Sequence, residues 1–145
     1  MAVFEEFAAR FAARQPRAVA ADEIKRAEAE LGCPLSPQHR EFLRTIGSLR
    51  SPALLELVVA KESVLPALEG ISAPEDLVDK TLRYRAAGMP SSLILVGLDA
   101  SGNAICVRMG SEQVVVFDHE SRRLAEVAKS LKALMSGYLA LGESQ

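Results

Sequence analysis

Phe4, Phe7 and Phe11 recur at i, i+3 and i+7, which predicts a helix with three aromatic rings on one face near the start of the chain. After a break at Gln15-Pro16, Ile24, Ala27 and Leu31 repeat the helical spacing, with Asp22 as cap or first-turn acid and Gly32 as the stop. Ser36-Pro37 then offers a side-chain acceptor followed by a ring that presets the first helical torsion. Phe42, Leu43 and Ile46 supply the buried face of this third helix, which Gly47 ends. The short connection makes the second and third helices a packed pair.

Leu54 to Val59 is a short apolar run with β-branched residues and predicts a strand, while Ser63 to Leu68 fits either one helical turn or a loop. Pro74, with Leu77, Val78 and Leu82 behind it, starts a helix that runs to about Arg85 before Gly88 and Pro90. Leu93–Leu98, Ala104–Arg108 and Val114–Phe117 are apolar segments separated by Asp99-Ala100-Ser101-Gly102-Asn103 and Gly110-Ser111, spacings that suit an antiparallel meander. From Leu124 through Val127, Ala128, Leu131, Leu134, Met135 and Tyr138 the helical period predicts one long closing helix. Helices, then a meander, then a helix that covers it define an α+β domain with a central antiparallel or mixed sheet. Residues 1–21 read as an amphipathic helical extension and 22–145 as the domain proper.

Composition narrows the class. The 145 residues are 49% hydrophobic and 25% charged, which excludes intrinsic disorder, and no apolar run is long enough to span a membrane. A net charge of −2 provides no global positive field to gather nucleic acid. Glu5 and Glu6 spoil a secretory leader; Arg10, Arg14 and Arg17 leave a membrane-surface or targeting role as the alternative to docking for the first helix. Cys33 and Cys106 are the only cysteines, a usage that fits reduced thiols and a cytoplasmic location.

Candidate chemistry is sparse. Cys33, His39, Cys106 and His119 could form a zinc site on arithmetic alone, but their spacing matches no known ligand pattern. Asp118, His119 and Ser121 contain the residue types of a hydrolytic triad, yet neighbours this close along a chain diverge instead of lining up in series. Capping of the closing helix by Asp118, Glu120 or Ser121 is the simpler expectation. Asp99, Ser101, Gly102 and Asn103 imitate part of a calcium loop but lack its closing acid, so they predict a hairpin turn. No cofactor and no metal are expected.

Charge gives the one functional contrast. Between residues 56 and 79 stand Glu56, Glu62, Glu69, Glu75, Asp76 and Asp79, opposed only by Lys61. Brought together, they would steer a basic protein partner. Arg83, Tyr84 and Arg85 would anchor such a partner if they face outward.

The segment Ile24-Lys25-Arg26-Ala27-Glu28-Ala29-Glu30-Leu31-Gly32, with Pro34-Leu35, His39-Arg40-Glu41-Phe42-Leu43 and Ile46-Gly47 after it, resembles the opening signature of the SUKH superfamily, the Smi/Knr-like domains. Gly97 to Asn103 and Val116-Phe117-Asp118-His119-Glu120 are similar to its second half, so the resemblance covers about Asp22 to Leu139. It implies a cytoplasmic, non-catalytic protein-binding domain, most often an immunity protein that neutralises a toxin delivered between competing bacteria. The alternative it implies is a regulatory or scaffolding module, with the Phe4, Phe7 and Phe11 face as a possible contact. Gly32, Gly47, Asp99, Gly102, Asn103, Asp118, His119 and Glu120 carry over as scaffold positions, not as a catalytic set.

Overall fold

A computed structural model describes residues 3–11, 19–47 and 49–143. The Gln15-Pro16 break, Arg14 and Arg17 lie outside them. Three helices lead: α1 (Val3–Phe11), α2 (Ala21–Leu31) and α3 (Pro37–Thr45). Strand β1 (Leu49–Arg50), helix α4 (Pro52–Ala60), strand β2 (Leu68–Ile71) and helix α5 (Pro74–Ala86) follow. Then come β3 (Leu93–Asp99), β4 (Ala104–Arg108), β5 (Val114–Phe117), β6 (Leu124–Ala128) and α6 (Leu131–Glu143). The strands form one six-stranded sheet in sequential order, and every pairing is antiparallel.

Both faces of the central strands are buried, which explains why β3 to β5 read as continuous apolar runs rather than alternating ones. Ile94, Val107 and Val114 are cross-strand partners on one face; Leu95, Cys106 and Val115 are partners on the other. The first face carries the main core, where Val96, Ile105, Val107 and Val114 meet side chains of α1, α3, α4 and α6. The second packs Leu93, Leu95, Cys106, Val115 and Phe117 against Met89 and Tyr84. A smaller cluster joins α2 and α5 through Ile24, Ala27, Leu31, Leu77 and Val78, over Ile94.

The phenylalanine face of α1 is spent inside the molecule. Phe4, Phe7 and Phe11 are 1, 0 and 6% exposed, with Phe4 edge-on to Phe42 at 5.0 Å and Phe7 6.1 Å from Tyr138. This helix docks on its own domain, and the face suggested as a contact for an outside partner is covered.

Two predicted elements change type. Residues 54–59, expected as a strand, lie in α4: Ser51 caps it by accepting from the Leu54 amide at 3.2 Å, and Pro52 occupies the first turn. The β-branched Val58 and Val59 suggested extended backbone, but cap and packing outweigh that preference, and Leu54 and Val58 fill the core. The strand expected there lies on either side of it, as β1 and β2. Residues 124–128, expected in the closing helix, form the edge strand β6 paired to β5. Helix α6 begins only at Leu131, with Ser130 accepting from the Ala133 amide at 3.0 Å.

Helix α5 also closes a gap in the sheet. Strand β2 pairs with β3 only at Gly97, Leu98 and Asp99, so among the described residues the first half of β3 has no strand beside it on that edge. Groups from α5 and the segment before it stand in. Thr81 Oγ1 accepts from the Leu95 amide at 3.1 Å, Arg85 Nη2 donates to the Leu93 carbonyl at 3.2 Å, and the Ser72 amide donates to the Val96 carbonyl at 3.0 Å. The ladder's polar groups are satisfied without another strand.

Candidate interaction face

The step from β2 into α5 creates a cleft of about 390 Å³ lined by Glu69, Asp76 and Lys80 over Leu49, Ile71 and Leu98. Its depth follows from β2 giving way to a helix. Gly70 and Gly97 let the backbones of β2 and β3 approach so closely there that a Cβ on Gly97 would stand 2.1 Å from the Gly70 carbonyl oxygen. No side chain caps the N-terminus of α5; Glu75 and Asp76 occupy its first turn, where the helix dipole favours negative charge.

The fold brings together part of the predicted acidic set. Glu69 and Asp76 share the cleft, while Glu75 faces the adjoining groove between α5 and α2, where Glu23 and Glu30 add to it opposite Arg26. Asp79 is exposed one turn along α5 and pairs with Arg83 at 3.1 Å across i, i+4. Glu56 and Glu62 lie apart from the cleft lining, on α4 and the turn after it, beside the exposed Val59 and Val64. Of the proposed anchors, Arg83 faces solvent. Tyr84 donates to the Gly102 carbonyl and meets Phe117 edge-on at 6.4 Å, and burial followed by the Asp99 charge raises its pKa. Arg85 is turned onto the Ser91 and Leu93 carbonyls.

The scaffold positions hold turns. Gly32 ends α2 in the left-handed region at φ 76°, and Gly47 and Gly102 adopt φ of 69° and 82°. Asp99 Oδ1 accepts from the Ser101 and Asn103 amides at 2.9 Å each, which makes its loop a hairpin turn. Asp118 Oδ1 accepts from the Glu120 and Ser121 amides at 2.9 and 3.0 Å, and these bonds lower its pKa. This tract therefore caps the β5–β6 hairpin and not a helix, because the chain turns back into β6 before α6 begins; Glu120 meets no helix dipole.

The catalytic and metal arrangements do not assemble among the described residues. His119 Nδ1 lies 2.8 Å from Asn103 Oδ1, Asp118 is occupied by backbone amides, and Ser121 Oγ accepts from the Arg123 amide at 3.3 Å. Cys106 is buried on the second sheet face, 3.6 Å from the Met89 sulfur, and burial raises its thiol pKa to about 12. His39 packs toward the first face, so the sheet separates it from Cys106. No group of three or more His, Cys, Asp or Glu side chains among the described residues could hold a metal ion. No helix among them is long and apolar enough to cross a membrane.

Three residues that position this face were not singled out along the chain. Glu28 Oε2 accepts from the Leu35 amide at 2.7 Å and from Arg40 Nη2 at 2.8 Å, fixing α2 against α3. Thr81 and Ser72 satisfy β3 from outside the sheet. A threonine on the apolar side of a helix is the one hint that was legible beforehand.

A sequential antiparallel sheet with helices on its faces, an acidic cleft beside α5 and polar turn residues committed to the backbone define an α+β domain built to present a surface. The chain belongs to the SMI1 / KNR4 family (SUKH-1), whose sequence profile matches residues 18–137. No curated protein matches it significantly.

Proposed function

We propose that this domain works by occupancy, without catalysis, as a cytoplasmic immunity protein that binds and neutralises a toxin presenting a basic surface. The observation that carries the reading is the cleft between β2 and α5, where Glu69 and Asp76 outnumber Lys80 over an apolar floor of Leu49, Ile71 and Leu98, with Glu75 and Asp79 on the adjoining turns. Carboxylates at the rim accelerate encounter with a cationic partner, and apolar side chains below provide area to desolvate. A lasting complex needs a total buried surface of about 1,200–2,000 Å², so the contact extends beyond the cleft onto α5 and its neighbours.

Copurification with a toxin encoded next to the chain, followed by a toxicity rescue assay, tests the reading. Glu75→Lys with Asp76→Lys should slow association about tenfold at low salt, a larger effect than the few degrees of thermal midpoint that two reversed charges cost at the start of α5. An association rate that does not change rejects this face. Full toxin activity at saturating protein rejects neutralisation of that toxin, and recovery of a host complex without any toxin would favour a regulatory module.

A further inference from the structure

The two edges of the sheet are finished differently. Strand β1 is two residues long and leads through Ser51 into α4, and the open half of β3 is served by Thr81, Arg85 and Ser72. Strand β6 forms the other edge. The Asp118 amide donates to the Arg123 carbonyl at 2.9 Å and the Arg108 amide to the Gln113 carbonyl at 3.0 Å, which fixes the alternation in both hairpins. Val116 and Ala125 therefore turn their backbone groups to each other, whereas Leu124 and Glu126 turn theirs away from β5. No hydrogen bond among the described residues reaches those outward amides and carbonyls.

The side chains around this edge are exposed and mostly cationic. Every residue from Ser121 to Glu126 is exposed, as is Lys129, and Leu124 keeps 40% of its surface. The register shift between Val114 and Val115 leaves Val127 as an extra residue in β6, so regular outward pairing is confined to Leu124–Glu126. Over residues 122–129, Arg122, Arg123 and Lys129 stand against Glu126 alone, a local charge of +2 on a chain whose net charge is −2. No ion pair among the described residues engages these three cations. A row of unpaired strand groups is recognised by another extended backbone. The charge decides which one. A second copy would set +2 against +2, whereas acids at the ends of a segment would meet Arg122 and Arg123 at one end of β6 and Lys129 at the other.

We propose that β6 accepts an extended acidic segment of a protein partner as a further strand of the sheet. The segment runs antiparallel to β6, exchanges backbone hydrogen bonds with Leu124 and Glu126, lays an apolar residue beside Leu124 and carries its acids at its two ends. Glu126 disfavours an acid at the centre. This edge lies across the sheet from the acidic cleft, and its occupant is independent of the partner taken there.

The test titrates the peptide acetyl-Asp-Glu-Val-Thr-Val-Glu-Asp-amide, and its counterpart with lysine in place of each acid, into the full ¹⁵N-labelled chain at low salt. The acidic peptide should bind saturably and about tenfold more tightly than the lysine one. At saturation it should slow exchange of the Leu124 and Glu126 amides about fivefold and leave Ala125, already bonded to β5, unchanged. Leu124→Pro removes one outward amide and no charge, at the first residue of an edge strand where proline is tolerated, and should weaken binding about fivefold. Arg123→Glu with Lys129→Glu, both on exposed residues, should weaken it about tenfold even if the proline variant fails to fold. Four results would overturn the site: no saturable binding, equal affinity for the lysine peptide, binding that leaves the Leu124 and Glu126 amides unprotected, or protection of those amides in the free chain that grows with protein concentration, which makes the edge a contact between two copies.

Discussion

Acidification should destabilise this fold through one residue. His39 is wholly buried with no hydrogen-bond partner for its ring among the described residues, and desolvation lowers its pKa from 6.5 to about 4. Because the folded value lies below the unfolded one, the unfolded chain takes up the proton first. The stabilisation tied to the neutral ring is complete above pH 6.5 and is lost as pH falls toward 4. At about 1.36 kcal/mol per pKa unit, that amounts to about 3 kcal/mol between pH 7 and pH 4, a large share of the roughly 5–15 kcal/mol that holds a typical domain together. Asp118, whose pKa is lowered below 3.8, contributes its loss at still lower pH and does not obscure this window. The chain has no tryptophan, so urea unfolding followed by far-UV circular dichroism at pH 7, 6, 5 and 4 is the suitable assay. His39→Leu should remove most of the pH dependence. It should also be neutral or stabilising at pH 7, because it removes two unpaired buried nitrogens. A variant that keeps the full acid sensitivity, or an unmodified chain whose stability is flat from pH 7 to pH 4, would refute the argument.

Gly97→Ala should cost on the order of 3 kcal/mol in urea unfolding, since its Cβ would meet the Gly70 carbonyl oxygen at 2.1 Å and force β2 from β3; a loss below about 1 kcal/mol would contradict that approach. Thr81→Val should lose about 1–3 kcal/mol by leaving the buried Leu95 amide without its acceptor, while Thr81→Ser should recover much of it. Ser51→Ala should lose about 1 kcal/mol through the α4 cap, which a thermal melt resolves and which a strand at this position would not show.

The sheet-forming runs at 93–98, 104–108 and 114–117 were legible because both their faces are apolar and glycine turns separate them. The first three helices and α5 were legible through helical spacing and their Pro or Gly boundaries. The α4 signal was also present: Ser51-Pro52 repeats the Ser36-Pro37 pattern that marks α3, and the β-branched residues drew attention from it. Residues 124–128 are different. Leu124, Val127, Ala128 and Leu131 satisfy a helical period, and only the free edge of β5 makes an extended conformation the better bargain for their backbone groups.

The surfaces divide in the same manner. Local spacing, caps and turn chemistry decide which stretches are helical, where Asp99 and Asp118 close hairpins, and that Phe4, Phe7 and Phe11 share a side, because these depend on residues only a few positions apart. Tertiary packing alone decides that Glu69 and Asp76 meet across one cleft, that Tyr84 and Arg85 turn inward, and that the His39 ring is buried without a partner among the described residues. Glu69 and Asp76 stand only seven positions apart, and Arg85 reaches carbonyls six and eight positions on, yet each outcome depends on how a helix lies against the sheet, which no local preference encodes.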